Sequence, residues 1–408
     1  MPPRGLWPVD ADLEATARAN VVRIAAAVDS PADARWFRAP GRVNLMGDHT
    51  DYNEGFVLPA AIDRECVVAA VPASRGRIRI RSLDAGGEDA IDLAADGSDD
   101  PRRVSPSWGR YVAGVARALA ERGRPSIGID AVLGSTIPAG AGLASSAALE
   151  VSCALALLDS ADAALAPSEA AIVCQRGEHL ATGVPSGIVD QLASLSGREG
   201  HALFVDCRSL EATAVSLPAR LTIVVVHSGV SRTLAETPYA ERRAACERIA
   251  AELGLHTLRD ATLDDVRRFP LAHHVVSENE RVRRTAAALV ADDLDAVSEL
   301  FAASHASLRD DYRVSTRELD ALVEALADAG AVGARLTGAG FGGAVVALCA
   351  REDAERVAAR AGERYRDATG FEATAFLCRA VGRAQGFEPT LPPSAGASMS
   401  RAGKQSRE

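Results

Sequence analysis

Apolar residues recur at helical spacing in seven segments of the chain. A helix that buries one face in a core shows apolar positions three and four residues apart. We predict helices for the segments with this spacing, which are residues 12–28, 111–121, 146–158, 168–179, 240–253, 317–329 and 352–369. Helices are therefore expected along the whole chain.

Other segments have short apolar runs or a period of two, which is typical of strands. Ile78 and Ile80 recur with a period of two, and so do Ile127 and Ile129. The predicted strands are residues 42–46, 65–71, 77–82, 126–133, 221–227, 343–349 and 372–378. Because helices and strands do not alternate one for one, this order favours an α+β fold with antiparallel or mixed sheets over a doubly wound parallel sheet.

The length of 408 residues indicates two or three domains. A boundary is favoured between the strand-like residues 202–205 and the apolar run that opens at Leu221. We therefore predict an N-terminal domain over residues 10–212 and a C-terminal domain over residues 213–385. Residues 386–408 are rich in Pro, Ser and Gly without any period, and they predict a disordered tail.

The charged residues narrow the possible chemistry. The net charge is −10, which argues against nucleic acid as a partner because such binding needs clustered cations. The chain has one lysine, Lys404, which lies in the predicted tail. P-loop and protein-kinase sites place a lysine on the nucleotide phosphates, and Schiff-base enzymes use one as the nucleophile. The predicted domains therefore support none of these three mechanisms.

The seven cysteines are scattered and never form a C-x-x-C pair, which is typical of reduced thiols. His273 and His274 have no cysteine or carboxylate partner at metal-ligand spacing, so zinc is not indicated. The N-terminus has one cation and no apolar core, and no apolar run approaches the roughly 20 residues of a membrane span. We expect a cytoplasmic protein that binds neither membranes nor nucleic acid.

Residues 39–53 place a short strand between two glycines and then a dense polar loop. Asp48, His49 and Asp51 offer hydrogen-bond acceptors close together in this loop. A buried sugar needs such acceptors, because each hydroxyl left without a partner costs desolvation free energy. The residues alone leave both a sugar site and a solvated surface turn open.

Residues 134–148 join a predicted strand to the N-terminus of an apolar helix. Gly140 and Gly142 let backbone N–H groups approach a phosphate, and the helix dipole favours negative charge there. Ser145 and Ser146 add hydroxyls for phosphate or Mg²⁺. Because the GK[ST] ending of a Walker A loop is missing, the segment predicts another kind of anion site or, alternatively, a glycine turn capped by serine.

Residues 176–191 contain two acids, Glu178 near a helix end and Asp190 after a glycine-punctuated loop. One carboxylate can hold Mg²⁺, and the other can accept the proton of an attacking hydroxyl. A helix-capping glutamate and an aspartate in an Asx-turn are the structural alternative.

Residues 335–343 contain the G-x-G-x-x-G spacing of a dinucleotide site. Such a site requires the glycines to open a helix, whereas the apolar run 344–348 predicts a strand. The segment therefore favours two strands joined by a glycine loop that packs closely beside a ligand.

Together these four segments resemble the galactose, homoserine, mevalonate and phosphomevalonate (GHMP) kinase superfamily, and residues 39–53 closely resemble its galactokinase signature. The motifs stand in the family's order, and residues 108–111, 274–279 and 304–308 are similar too. The resemblance implies an α+β, two-domain GHMP kinase fold, with an N-terminal domain like domain 2 of ribosomal protein S5 and a ferredoxin-like α/β C-terminal domain. It also implies an active site between the domains, where the γ-phosphate of ATP passes to the C1 hydroxyl of a galactose-like sugar.

The resemblance also implies roles for individual residues. Asp190 accepts the proton of the anomeric hydroxyl beside Arg42, whose guanidinium stabilises the ionised carboxylate and the transferring phosphoryl group. Glu178 and Ser146 hold Mg²⁺. The sugar-binding residues are Asp48, His49, Asp51, Gly187 and Tyr239. The ATP-binding residues are Ser82, Trp108, Tyr111, Gly140, Ala141, Gly142, Leu143, Ala144, Ser145 and Ser146. Trp108 and Tyr111 would flank adenine, although core packing explains these two as well.

Several positions depart from the family's usual residues. Asp48 stands where Glu is more usual, and Ser186, Val189, Ala144 and Ala240 are also substitutions. D-galactose and MgATP are the expected partners of a monomer, but these departures leave the exact sugar open, with arabinose or an N-acetylated hexosamine as alternatives. A sugar and ATP sensor without turnover is a second alternative, and a dinucleotide-dependent oxidoreductase is a third.

Overall fold

The computed structural model describes residues 13–73, 76–84, 90–138, 140–230 and 236–391. Its helices are α1 (Leu13–Ala27), α2 (Gly109–Glu121), α3 (Ser145–Ser160), α4 (Pro167–Thr182), α5 (Val189–Ser196), α6 (Glu236–Glu252), α7 (Pro270–Ala291), α8 (Leu294–Asp310), α9 (Arg317–Ala329) and α10 (Ala354–Thr369). Each of the seven predicted helices corresponds to one of these. Helices α5, α7 and α8 are not among the predicted ones. Within the described ranges, no helix is both long and apolar enough to cross a bilayer.

The strands of the described residues form three sheets. They are β1 (Arg35–Asn44), β2 (Phe56–Val57), β3 (Pro59–Ala73), β4 (Arg77–Ser82), β5 (Ala90–Ala94), β6 (Gly128–Ser135), β7 (His201–Asp206), β8 (Glu211–Ser216), β9 (Leu221–His227), β10 (Gly333–Thr337), β11 (Ala344–Ala350), β12 (Thr374–Cys378) and β13 (Gln385–Phe387). The mixture of sheets and helices confirms the α+β class.

The largest sheet has the strand order β13-β1-β3-β6-β4-β5. Its strands pair in antiparallel fashion except for β4 and β6, which are parallel. The register between β1 and β3 shifts between Pro40 and Arg42. Such an irregularity redirects the side chains that follow it, and here it lies at the residue predicted to stand beside the base.

A second sheet, in the order β10-β11-β9-β12, is antiparallel throughout. Residues 338–343 connect β10 to β11, so the glycines join two strands and open no helix. This arrangement was predicted from the apolar run 344–348. It removes the basis for the dinucleotide-dependent oxidoreductase, because a dinucleotide fingerprint requires a helix after the glycines.

The third sheet is small, with the order β2-β7-β8. The predicted domain boundary between residues 212 and 213 falls inside β8, which pairs along its length with β7. The division of the chain at that position remains a proposal.

Strand β13 lies partly inside the tail that was predicted to be disordered from residue 386. Phe387 is opposite Trp36 of β1, with the ring centroids 6.2 Å apart, and the Arg38 guanidinium lies 4.2 Å from the Phe387 centroid. The tail prediction is corrected for Gly386 and Phe387, because strand pairing and aromatic packing order them. Residues 392–408 of that tail lie outside the described residues.

Candidate active site

A cavity of about 840 Å³ is lined by residues from both halves of the chain. Most of the predicted site residues line it, namely Arg42, Asp48, His49, Asp51, Gly140, Ala141, Gly142, Leu143, Ala144, Ser145, Ser146, Glu178, Gly187, Asp190 and Tyr239. The structure therefore brings the predicted sugar, phosphate, metal and catalytic residues together. Their roles remain proposals.

Three predicted ATP-binding residues are not among those that line the cavity. Ser82 is buried at the end of β4, and its hydroxyl accepts a bond of 3.4 Å from the N–H of Asp84. Trp108 and Tyr111, at the start of α2, are half-buried and pack against the apolar core. The placement of adenine beside these two rings stays a prediction.

Arg42 and Asp190 form an ion pair on the cavity wall. The Arg42 Nη2 atom lies 2.5 Å from Asp190 Oδ1, and both side chains are largely shielded from solvent. Asp190 stands in the first turn of α5, where the helix dipole favours a negative charge. Arg42 also donates through Nη1 to the carbonyl of Gly142 at 2.9 Å, and its backbone N–H donates to the carbonyl of Leu143 at 3.1 Å. The same arginine therefore holds both the predicted base and the predicted phosphate loop.

The predicted phosphate loop leads directly into α3. Gly140 and Gly142 have φ values of 74° and 75°, and Ala144 has a φ of 59° just before the helix begins. The left-handed region is unfavourable for a residue with a Cβ. This backbone places the loop before the free N–H groups of the first turn of α3, which is the arrangement that binds anions.

Glu178 of α4 faces the cavity beside Ser146. Its Oε2 atom accepts bonds from Ser186 Oγ at 2.6 Å and from Gln191 Nε2 at 3.1 Å, whereas its Oε1 atom lies 3.5 Å from Ser146 Oγ. Gln191 Nε2 also donates to Oε2 of the fully buried Glu150 at 2.9 Å. Burial raises the pKa of Glu178, and the nearby charge of Asp190 adds to this effect. A carboxylate and a hydroxyl form a hard oxygen donor set, which suits Mg²⁺.

Asp51 packs directly against the backbone of Gly187. A Cβ placed on Gly187 would lie 1.4 Å from Asp51 Oδ2, so only glycine fits this close approach. Burial raises the pKa of Asp51 to about 6, and the neighbouring charges of Asp190 and Asp48 contribute in the same direction.

His49 forms the centre of an aromatic cluster at the cavity. Its Nδ1 atom is 2.8 Å from the Tyr52 hydroxyl, and its ring centroid is 5.7 Å from Tyr239 and 4.6 Å from Tyr312. Burial lowers the pKa of His49 to about 3, so the imidazole is neutral at pH 7. A neutral imidazole offers one donor and one acceptor, which suits sugar hydroxyls.

Asp48 is 6% exposed and meets Arg335, whose Nη2 atom lies 2.7 Å from Asp48 Oδ2. The N–H of Gly338 donates to Asp48 Oδ1 at 2.9 Å. Burial raises the pKa of Asp48, and the charge of Arg335 partly offsets this rise. The carboxylate is therefore fixed by the segment that contains the glycine loop.

Several residues at or behind the cavity were not predicted. They are Asn44, Glu150, Gln191, Arg243, Glu278 and Arg335. Arg243 of α6 donates to the carbonyl of Pro185 at 2.8 Å and so touches the loop before Asp190. The stretch 274–279 contains Glu278 and was noted only for its family likeness. Asn44, Gln191 and Arg335 lie inside the segments 39–53, 176–191 and 335–343 but were assigned no role there, and no local pattern distinguishes Glu150 and Arg243 from ordinary polar residues.

Three family models match the chain. The model of the galactokinase galactose-binding signature matches residues 26–72, that of the GHMP kinases N terminal domain matches residues 110–198, and that of the GHMP kinases C terminal domain matches residues 285–367. The first contains Arg42, Asp48 and Asp51, and the second contains Glu178 and Asp190.

Curated relatives cover most of the chain. A galactokinase from Chloroflexus aurantiacus is 44% identical over 358 residues, which are 84% of this chain and 91% of that protein. A galactokinase from a Roseiflexus species is 43% identical over 364 residues, with 85% and 92% covered.

Solved structures share the fold. The crystal structure of Lactococcus lactis galactokinase complexed with galactose has a TM-score of 0.81 and 31% identity, covering 87% of this chain and 95% of that one. The mevalonate kinase of Methanococcus jannaschii, with a TM-score of 0.61 and 17% identity over 86% and 99% of the two chains, is similar in fold alone.

Proposed function

This chain belongs to the galactokinase family of the GHMP kinases, and from that premise we propose that it transfers the γ-phosphate of ATP to the C1 hydroxyl of α-D-galactose, giving galactose 1-phosphate and ADP. The observation that carries the proposal is the Arg42–Asp190 ion pair, which shares one cavity with the phosphate loop and with Asp48 and Asp51. A sensor without turnover would have no need of a carboxylate between a sugar site and a phosphate loop.

Asp190 is proposed to accept the proton of the C1 hydroxyl as the sugar oxygen attacks the γ-phosphorus. A bond forms between that oxygen and phosphorus while the bond from the γ-phosphorus to the bridging β,γ-oxygen breaks, and ADP leaves with the electron pair. The ion pair with Arg42 orients the carboxylate. Arg42 also offers fixed positive charge near the transferring group, a task that lysine performs in other kinases.

The phosphate loop, residues 140–146, is proposed to hold the triphosphate through backbone N–H groups and the hydroxyls of Ser145 and Ser146. Its position before the first turn of α3 supports this assignment. Ser82, Trp108 and Tyr111 are proposed to hold the adenosine end. The two rings are only half-buried, which is compatible with stacking on a base.

Glu178 and Ser146 are proposed to hold Mg²⁺. The fit rests on the donor set, since Glu178 Oε2 is occupied by Ser186 and Gln191 while Oε1 faces the Ser146 hydroxyl. Mg²⁺ bound there would neutralise part of the charge of the ATP phosphates.

Asp48, His49, Asp51, Gly187 and Tyr239 are proposed to bind the sugar. Two carboxylates, a neutral imidazole and a phenol surround one region of the cavity and supply both donors and acceptors. The solved Lactococcus lactis galactokinase carries galactose, which favours galactose over arabinose or an N-acetylated hexosamine here.

A cytoplasmic, monomeric enzyme is also proposed. All seven cysteines are free and buried, which suits a reducing compartment. The exposed large apolar residues in the described part of the chain are Val22, Ile127, Ile172, Leu263, Val290 and Phe371, and no two of them belong to the same helix or strand. Light scattering after size-exclusion chromatography measures the oligomeric state directly.

The test of function is ADP release from MgATP with galactose, glucose, arabinose and N-acetylgalactosamine as separate acceptors. We expect release with galactose and its loss in Asp190→Asn, whose circular dichroism and thermal transition should stay those of the wild type. ADP release only with another sugar would mean that this sugar, and not galactose, is the substrate. Binding of sugar and ATP without any ADP release would favour the sensor. An Asp190→Asn rate close to that of the wild type would remove the assignment of the base.

A further inference from the structure

Arg335 is a fully buried arginine that reaches from β10 to the predicted sugar loop. Its Nη1 atom donates to the carbonyl of Leu45 at 3.1 Å, and its Nη2 atom lies 2.7 Å from Asp48 Oδ2 and 3.7 Å from Glu278 Oε1. The exposed fraction of its side chain is 0%. Burying a guanidinium costs free energy unless carboxylates or carbonyls accept its hydrogen bonds.

Most of the partners that fix Asp48 belong to the C-terminal half of the chain. Besides Arg335, the N–H of Gly338 donates to Asp48 Oδ1 at 2.9 Å, and His274 Nε2 lies 3.1 Å from the Asp48 carbonyl. Within its own segment, the Asn44 side chain is a further partner. The orientation of this carboxylate therefore depends on β10, the glycine loop and α7.

Glu278 balances the charge behind Arg335. Its Oε1 atom accepts bonds from the N–H of Gly47 at 3.0 Å and from Ser304 Oγ at 2.7 Å, and its Oε2 atom lies 2.5 Å from Arg281 Nε. Although burial acts to raise it, the charges of Arg281 and Arg335 help hold the pKa of Glu278 at about 2. Two arginines and two carboxylates thus form one buried neutral network, and one end of it is Asp48.

The Asp48 carboxylate nevertheless keeps the capacity to accept a further hydrogen bond, because each of its oxygens has two acceptor sites and the Gly338 N–H occupies one of those of Oδ1. The Oδ2 atom of Asp48 is buried and forms an ion pair with Arg335. Among the described residues, no donor forms a hydrogen bond of good geometry with this atom. Asp48 also lines the cavity. A sugar hydroxyl in the cavity is a donor whose hydrogen bond this carboxylate can still accept.

We propose that Arg335 is a positioning residue for sugar binding, which holds the Asp48 carboxylate in the orientation that accepts a galactose hydroxyl, with Glu278 as its counter-charge. The inference rests on the proposed function and assigns Arg335 no contact with the sugar. Arg42, Glu178 and the phosphate loop lie outside this network. Loss of Arg335 should therefore affect galactose and spare ATP.

The test compares Arg335→Lys with Arg259→Lys. Lysine keeps the charge but cannot reproduce the fork that reaches Leu45 and Asp48 together. Arg259 is a matched control because it also joins the two halves, donating to the Glu54 carbonyl at 2.9 Å and pairing with Asp206 at 3.0 Å. It is not among the residues that line the cavity.

For Arg335→Lys we expect the KM for galactose to rise by about tenfold or more, because misplacing a contact by about 1 Å costs up to 10²-fold. The KM for ATP should stay within about twofold. The Kd for galactose, measured by calorimetry without ATP, should rise in parallel. Arg259→Lys should change none of these constants by more than about twofold.

A merely structural role would lower the fraction of folded enzyme, and hence kcat, without moving the KM for galactose. An unchanged galactose KM, or galactose and ATP constants that rise together, would overturn the proposal. If Arg335→Lys does not fold, Glu278→Gln is tested in its place and should also weaken galactose binding. A folded Glu278→Gln variant with wild-type affinity for galactose would overturn the proposal as well. Wild-type enzyme that neither binds nor phosphorylates galactose would instead count against the proposed function.

Discussion

Gly187→Ala tests the close packing of the sugar loop against the loop before Asp190. The new methyl group would lie 1.4 Å from Asp51 Oδ2 and 2.2 Å from Asp51 Cγ, whereas Cβ atoms in proteins essentially never approach within 3.0 Å of another heavy atom. The Asp51 carboxylate or the Gly187 backbone must therefore move by about 1.6 Å. No positive φ is involved, so the substitution adds bulk without backbone strain.

The size of the effect follows from that displacement. A misplacement of about 1 Å in a catalytic constellation costs on the order of 10²-fold in rate. Both possible movements affect the reaction, since Asp51 is a proposed sugar ligand and Gly187 lies three residues before the proposed base. We expect kcat/KM for galactose to fall by about 10²-fold, which corresponds to about 2.7 kcal/mol of transition-state stabilisation.

The assay is steady-state ADP release with galactose and ATP varied separately. Gly382→Ala is the matched control, because Gly382 also has no positive φ and a Cβ there would meet nothing within 4 Å. It should keep wild-type kcat/KM and unfold at the same or a slightly higher urea concentration. If Gly187→Ala retains kcat/KM within about threefold of the wild type, the contact between Asp51 and Gly187 does not organise the site.

Three further outcomes test Asp51 and the proposed metal ligand Ser146. Because burial raises the pKa of Asp51 to about 6, its carboxylate takes up a proton as the pH falls from 7 to 5, and the KM for galactose should rise over that range, while Asp51→Asn should remove this dependence. Because the folded state binds this proton more tightly than the unfolded state does, the Asp51 carboxyl stabilises the folded state at low pH. This contribution to the free energy of unfolding is complete below about pH 3.8 and is lost as the pH rises through about 6. Urea unfolding of the wild type and of Asp51→Asn at several pH values measures it. Ser146→Ala should raise the Mg²⁺ concentration needed for half-maximal rate and weaken Mn²⁺ binding in the presence of ADP, read by electron paramagnetic resonance, with the Kd for galactose unchanged. Unaltered Mn²⁺ binding would exclude Ser146 as a ligand.

Features that depend on neighbouring residues could be predicted from the sequence. The apolar run 344–348 correctly predicted a strand after the glycines, and the order of glycines, serines and apolar positions in residues 134–148 predicted the loop that enters α3. These features need only a few adjacent positions, because a turn and the first turn of a helix are local structures.

Contacts between distant segments were not visible in the sequence. Arg335 donates to the carbonyl of Leu45, 290 positions away, and nothing around either residue indicates the pairing. Helix α7 escaped prediction for a related reason, since its buried face includes His274, Glu278 and Asn279. Polar residues on a buried face look like a solvated surface until their partners are known.

The pairing of β13 with β1 has a consequence for the way this enzyme is made. Strand β1 precedes β13 by most of the described chain, so it is translated well before the strand that pairs with its outer edge. Until then the strand that carries Arg42 has unpaired N–H and C=O groups on one edge, and such an edge can pair with the strands of other chains. Strand β13 therefore closes this edge of the sheet, so a nascent chain that stalls after β1 and before residue 385 should need a chaperone.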